Sequence, residues 1–304
     1  MIRKNLISVQ TNDSFQRDAF LLLRSSDNKE DVLNAPIILH IHGVLGHFLA
    51  RGTPRLLPPA LLEHGINSFS VNTRMAFMGQ IMGEGIFDDA INDIDASLDM
   101  LRKEGFRKIF ILGYSLGANI VAYYATKRID PSIQGVILEG CSFSLPEAQR
   151  KRWGKWNSKP SYDEVYRKAR EVLAPDPYKS SRDQVFIVYR AWGPTFDPFH
   201  IEIFTYKTWW FMRGPEAYNA MTHRLISKIT VPILFLQGEN DDILESWEAR
   251  ELARLVHTAG NSDATVKYIP QASHDCMENP EETVRAIVNW VSSLNLKNVE
   301  GLNT

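Results

Sequence analysis

Lys108-Ile109-Phe110-Ile111-Leu112-Gly113-Tyr114-Ser115-Leu116-Gly117 is the stretch that decides the fold. Its first five residues form a short β-branched and aromatic run of the kind that fills a buried strand, and from Ala118 to Ile129 apolar residues recur at helical spacing. A serine therefore stands in the turn between a strand and a helix. Gly113 and Gly117 lack a Cβ, so strand and helix can approach closely enough for the turn to hold Ser115 in a strained conformation with its hydroxyl outward. The pattern G-x-S-x-G is short and says little by itself. The strand before it and the helix after it are what make it a nucleophile elbow.

Outward from the elbow the same alternation continues. Leu6–Val9 and Asp18–Leu23 read as paired opening strands, and Pro36–Ile41 as a continuous apolar strand ending in His42-Gly43. A helix over Pro54–His64 stops at Gly65, a strand follows at Asn67–Asn72, then a Gly- and Met-rich loop from Met75 to Gly85 and a helix over Asp88–Glu104 stopped by Gly105. Beyond the elbow helix, Gln134–Glu139, Val231–Leu236 and Thr265–Ile269 read as strands, Ser246–Thr258 and Glu281–Leu294 as helices, and Asn295–Thr304 as a frayed polar tail. Strands alternating with helices predict an α/β fold, a mostly parallel sheet with helices on both faces.

One stretch breaks this rhythm. Between Ser142 and Lys228 there is no clear alternation, and these 87 positions hold 17 of the chain's 32 aromatic residues, which marks them as an insertion with a core or a pocket of its own. The expected organisation is thus a core of residues 1–141 and 229–304 with an inserted aromatic-rich cap over 142–228. Some of those aromatic residues are expected to pack the insertion and others to line a substrate pocket. Trp209 and Trp210, in the densest apolar patch (Tyr206–Met212), are the first candidates for substrate contact.

With 304 residues and 44% hydrophobic content, the chain has enough apolar material for one large core. A formal net charge of −2 offers no general attraction to nucleic acid or anionic lipid, and Arg150-Lys151-Arg152 with Lys155 reads as a solvated helix face. No apolar run reaches the ~20 residues needed to cross a bilayer, and Met1–Gln10 is too short and mixed for a signal peptide's apolar region, so a cytoplasmic location without membrane insertion is expected. Cys141 and Cys276 make no disulfide framework and have no metal or redox spacing.

A serine hydroxyl attacks an acyl carbon only if an imidazole takes its proton and an acid fixes that imidazole. Val231–Leu236 runs into Gln237-Gly238-Glu239-Asn240-Asp241-Asp242, which places carboxylates just beyond a buried strand. Thr265–Ile269 runs into Pro270-Gln271-Ala272-Ser273-His274, which places a histidine in the corresponding loop. The order Ser, Asp, His is the one expected on such a sheet. His40-x-His42 with His47 has two imidazoles on one strand face, but no neighbouring Asp and no metallohydrolase spacing, so no metal is expected there.

Through these residues the chain resembles the α/β-hydrolase superfamily over nearly all its length apart from the insertion. The resemblance maps the acid, three residues past Gly238, onto Asp241, with Asp242 as the fallback and Glu139 as a displaced alternative, and the histidine onto His274 before Glu278-Asn279-Pro280. It maps His42-Gly43 onto the oxyanion turn, where the N–H of Val44, or that of its neighbour Leu45, joins that of Leu116 at a helix start. The family's D-x-R-G-x-G is replaced by Asn72-Thr73-Arg74-Met75-Ala76-Phe77, which implies a different active-site entrance. Asn72-Thr73-Arg74 with the Gly113–Asn119 run is similar, more distantly, to a branch near the siderophore esterases. The resemblance implies a serine hydrolase that cleaves a carboxylic ester of a small molecule through an acyl-enzyme, without a cofactor. Thioester or peptide cleavage, acyl transfer and carbon–carbon bond hydrolysis use the same triad. A ligand-binding protein that kept the fold and lost turnover is the alternative of another class.

Overall fold

The elbow strand lies at the centre of an eight-stranded sheet in the computed structural model of the chain. The structure describes residues 3–78, 85–128, 130–192 and 195–300. The middle of the expected Met75–Gly85 loop, the last position of the expected elbow helix and the last four residues of the expected tail lie outside them. In chain order come β1 (Arg3–Gln10), β2 (Gln16–Leu23), α1 (Lys29–Asn34), β3 (Ile37–Ile41), α2 (Thr53–Glu63), β4 (Asn67–Val71), α3 (Ala90–Glu104), β5 (Ile109–Tyr114), α4 (Leu116–Lys127) and β6 (Ile133–Glu139). Then follow α5 (Leu145–Lys155), α6 (Tyr162–Leu173), β7 (Val185–Trp192), β8 (Thr195–Thr205), α7 (Tyr206–Arg213), β9 (Ile233–Gly238), α8 (Glu248–Thr258), β10 (Ala264–Ile269) and α9 (Pro280–Glu300).

The sheet order is β1-β2-β4-β3-β5-β6-β9-β10. β1 and β2 form an antiparallel hairpin whose second strand pairs antiparallel with β4, and every pair from β4 to β10 is parallel. The central strands are buried on both faces and mostly apolar, because side chains alternate between two covered faces. Ile37, Leu39 and Ile41 of β3 join Ile109 and Ile111 of β5 on the side packed by α3, α4 and α8. Ile38, Phe110 and Leu112 point the other way, onto Leu57 and Leu61 of α2 and Ile287, Trp290 and Val291 of α9. The last helix runs six residues beyond its expected end. α1, whose first turn is capped by the Asn28 side chain accepting from the Glu30 N–H, carries no buried residue and left no apolar pattern to read.

The stretch between β6 and β9 is more regular than its sequence suggests: two helices, a β7–β8 hairpin forming its own two-stranded sheet, and a third helix. It is stitched to the rest of the chain at several points. The Tyr178 hydroxyl donates to Asp89 (3.0 Å), the Asn219 amide to Asp88 (2.7 Å), the Thr208 hydroxyl to the Gly85 carbonyl (2.9 Å) and the Asn119 amide of α4 to Thr222 (2.6 Å). On the chain's return, the Phe143 N–H donates to Glu248 of α8 (2.6 Å).

Candidate active site

Ser115 follows β5 directly and precedes α4 with φ 54° and ψ −119°, a backbone conformation that a non-glycine residue holds only when its surroundings impose it. The surroundings are close. A Cβ on Gly113 would lie 2.2 Å from the Gly117 carbonyl oxygen, and one on Gly117 would lie 2.3 Å from that of Ile41, so both positions exclude every other residue. The Ser115 N–H donates to the Glu139 carbonyl (2.8 Å), which ties the turn to the end of β6.

His274 Nε2 stands 2.9 Å from Ser115 Oγ, and His274 Nδ1 stands 2.9 and 3.2 Å from the two Asp241 carboxylate oxygens. A carboxylate only accepts, so Nδ1 carries the ring proton, and Nε2 is left as the acceptor for the serine hydroxyl. Asp241 Oδ1 also accepts the N–H groups of Ile243 and Leu244, each at 2.8 Å, which fixes the carboxylate independently of the histidine. The Asp241 side chain is 2% exposed, whereas Asp242 is exposed and has no bond to His274. The structure therefore brings Ser115, His274 and Asp241 into one hydrogen-bonded line.

Glu139 stands apart from that line. Its side chain is buried behind the elbow, where Thr53 Oγ1 lies 2.5 Å from Glu139 Oε1 and 3.1 Å from Asp275 Oδ1. Burial pushes the Glu139 carboxyl up to about 8, with Asp275 adding to the effect. The single Thr53 hydrogen cannot serve both carboxyls. A proton on Glu139 resolves the conflict, since Glu139 then donates to Thr53 and Thr53 donates to Asp275.

The turn after β3 is held by a residue whose part was not foreseen. His42 is buried, its Nε2 accepts the Thr73 N–H (3.1 Å), and its Nδ1 therefore donates to the Gly43 carbonyl (2.9 Å). Burial pushes the ring down to about 4, so it is neutral at physiological pH. In a trans peptide the C=O and N–H point opposite ways, so anchoring the Gly43 carbonyl on His42 turns the Val44 N–H away from that ring. Asn72, which stands where the more common pattern has Asp, and Arg74, which that pattern shares, brace the same region. Asn72 Oδ1 accepts the Phe48 N–H (2.9 Å), and buried Arg74 pairs with Asp13 (2.7 Å) and Asp93 (3.1 Å). His40, on the same strand, lies 3.1 Å from Ser68 Oγ.

Val44, Ser115, Leu116, Asn119, Ser142, Ile243 and His274 form the floor of a cleft with about 340 Å³ of empty space, part of it open to solvent. Leu116 is the first residue of α4, so its N–H has no acceptor within the helix. The roof comes from the stretch between β6 and β9: Leu145, Gln149 and Arg152 from α5, Met212 and Arg213 from α7. Trp209 and Trp210, expected to touch substrate, do not line it. Trp209 is fully buried against Trp153 and Tyr162, and Trp210 stacks on Tyr166 (ring centroids 5.8 Å). The large rings pack against α5 and α6, and the residues that reach the cleft stand one turn further along α7. The expected solvated basic face of α5 also needs correcting. Arg150 and Lys151 are exposed, 67% and 70% of their side chains, but Arg152 turns inward to the cleft. The spacing of Leu145, Gln149 and Arg152, i, i+4 and i+7 on one helix face, is the signal that would have found them.

The sequence profile of the hydrolase family described as serine aminopeptidase, S33, matches residues 64–281. Among solved structures, an esterase of Pyrococcus furiosus superposes with a TM-score of 0.64 at 14% identity, covering 96% of this chain and 91% of that one. Est1E of Butyrivibrio proteoclasticus gives 0.60 at 15%, covering 97% and 99%, and a monoacylglycerol lipase of Paleococcus ferrophilus gives 0.58 at 21%, covering 86% and 97%. At these identities the likeness is one of fold. A curated 2-succinyl-6-hydroxy-2,4-cyclohexadiene-1-carboxylate synthase of Serratia proteamaculans is 37% identical over 65 residues, which is 21% of this chain and only 24% of that protein's length.

Proposed function

Since the chain belongs to the serine aminopeptidase S33 family of α/β-hydrolases, we propose that it is a serine hydrolase that cleaves carboxylic esters of small molecules through an acyl-enzyme. The observation that carries this reading is His274 standing 2.9 Å from both Ser115 Oγ and Asp241 Oδ2. Ser115 Oγ attacks the acyl carbon as its proton passes to His274 Nε2, and Asp241 steadies the resulting imidazolium. The N–H groups of Val44 and Leu116 receive the oxyanion. As the tetrahedral intermediate collapses, the bond to the leaving oxygen breaks and His274 returns the proton to the departing alcohol. Water, deprotonated by the same imidazole, then attacks the acyl-serine and releases the acid.

In this reading residues 142–228 act as the cap, shaping selectivity through Leu145 and Met212. Ester cleavage is favoured over aminopeptidase action because the roof presents the guanidinium of Arg152, which repels the ammonium of a peptide's amino terminus. A fluorophosphonate probe should label Ser115 alone, and Ser115→Ala should lose both the label and about 10⁴-fold or more of kcat on 4-nitrophenyl butyrate, with an unchanged melting temperature. Persistent turnover in that variant would reject the serine mechanism.

A further inference from the structure

The roof of the cleft carries more positive charge than the catalytic reading uses. Arg152, Arg190 and Arg213 cluster in the insertion around Glu202, whose Oε2 accepts from Arg190 (2.7 Å) and from Arg213 (3.0 Å). Arg190 lies over the rings of Trp153 and Trp156 (5.5 and 4.6 Å), and Arg152 flanks Trp156 from 5.9 Å. Arg152 has no ion-pair partner among the described residues. Its one side-chain hydrogen bond there runs from Nε to the Ala148 carbonyl (3.2 Å), within its own helix.

The carboxylates that act on Arg152 are all engaged elsewhere. Glu202 holds the other two arginines, Glu248 accepts the N–H groups of Phe143 (2.6 Å) and Glu245 (2.9 Å), and Asp241 holds His274. Burial, with the Arg213 charge next, pushes the Arg152 guanidinium down to about 10, which leaves it charged at neutral pH but poorly compensated. Beside it on the same face of α5, Gln149 is 6% exposed and lines the cleft with its Oε1 buried and unbonded among the described residues. A buried polar atom without a partner is costly, and a half-buried cation without a paired anion is a ready partner for one.

We propose that Arg152, assisted by the Gln149 amide, forms an anion-recognition subsite facing Ser115, so that the preferred ester carries a free carboxylate. A carboxylate receives two parallel N–H bonds from a guanidinium, and the Gln149 amide, turned to present its NH₂, supplies a third donor. The anion neutralises the excess charge of the roof and thereby orients the ester over Ser115. The substrate class is a half-ester of a dicarboxylic acid, or an ester whose alcohol part bears the carboxylate. This assignment rests on the ester-hydrolase reading, and the test separates the two.

Matched pairs of esters provide that test: mono-(4-nitrophenyl) adipate against its methyl diester, and 4-carboxyphenyl acetate against methyl 4-acetoxybenzoate. The first pair places the charge on the acyl side and the second on the alcohol side. The wild-type protein should favour the anionic member of at least one pair in kcat/KM, chiefly through KM, and Arg152→Met should reduce that preference by about 10- to 100-fold, the range expected for a charge-assisted hydrogen bond. The ratio within one variant does not depend on how much of the protein folds. Arg152→Lys should retain part of the preference, and Arg150→Met, at an exposed neighbour, all of it. An anionic preference that is absent, or that survives Arg152→Met, overturns the subsite while leaving the hydrolase intact. Calorimetry of adipate binding to Ser115→Ala supplies the independent arm. Arg152-dependent binding without turnover of any ester would uphold the subsite and reject the hydrolase reading.

Discussion

Between Asp241 and Asp242 the sequence offers two adjacent carboxylates with the same chemistry, and the difference between them is one of direction. Asp241 is turned inward, where two backbone N–H groups and His274 Nδ1 occupy its oxygens, while Asp242 faces solvent. Asp241→Asn should therefore lower kcat by about 10⁴-fold, because an amide that donates to Nδ1 imposes the wrong tautomer on His274. Asp242→Asn should change kcat less than threefold. Steady-state kinetics on one chromogenic ester decide between them, and a larger loss at Asp242 would shift the acid by one residue. The spacing from Gly238 made Asp241 readable in advance. The part of His42 was not readable, because its work depends on Thr73, 31 residues away, meeting it across the sheet.

At the scale of elements, the central sheet and the stretch between β6 and β9 differ in how well they can be read, and for a physical reason. Core strands such as β3 and β5 are covered on both faces, so they appear as largely apolar runs bounded by turn residues. The β7–β8 hairpin is apolar on a covered and an uncovered face alike. Val185, Phe186, Ile187 and Val188 are 45%, 9%, 40% and 0% exposed, and this erases the alternation that would have marked a strand. The start of α6 carries a legible signal, a reciprocal capping box between Ser161 and Glu164. Aromatic density drew attention to Trp209 and Trp210 as substrate contacts, whereas Trp209 packs on Trp153 and Tyr162 away from the cleft. Trp209→Ala should accordingly cost about 3–5 kcal/mol of stability in denaturant melts. It should leave the preference for ester chain length unchanged. A shift in that preference without loss of stability would return Trp209 to the pocket.

For the molecule as a whole, Glu139 links the site to global stability. Its carboxyl ionises at about 8 in the fold against an ordinary 4.5, so between those values the folded chain holds a proton that the unfolded chain has released. Unfolding then gives up a proton, and the contribution of this group to stability falls as pH rises from about 4.5 to about 8 and levels off above that. Melting temperatures from pH 5 to 9 should show this decline in the wild type and a flatter profile in Glu139→Gln, which keeps a neutral donor beside Thr53. Parallel profiles would mean that Glu139 is ionised throughout. The stitching of the insertion at Asp88, Asp89, Gly85 and Asn119 bears on traffic through the cleft. A roof tied down at these points is expected to stay in place rather than swing as a hinged door, which leaves reactants a fixed slot to pass along. On the proposed reading, ester cleavage should then start without a lag and gain nothing from a lipid droplet or detergent surface, and substrates should be sorted by whether a slender end can be threaded past Met212 to Ser115.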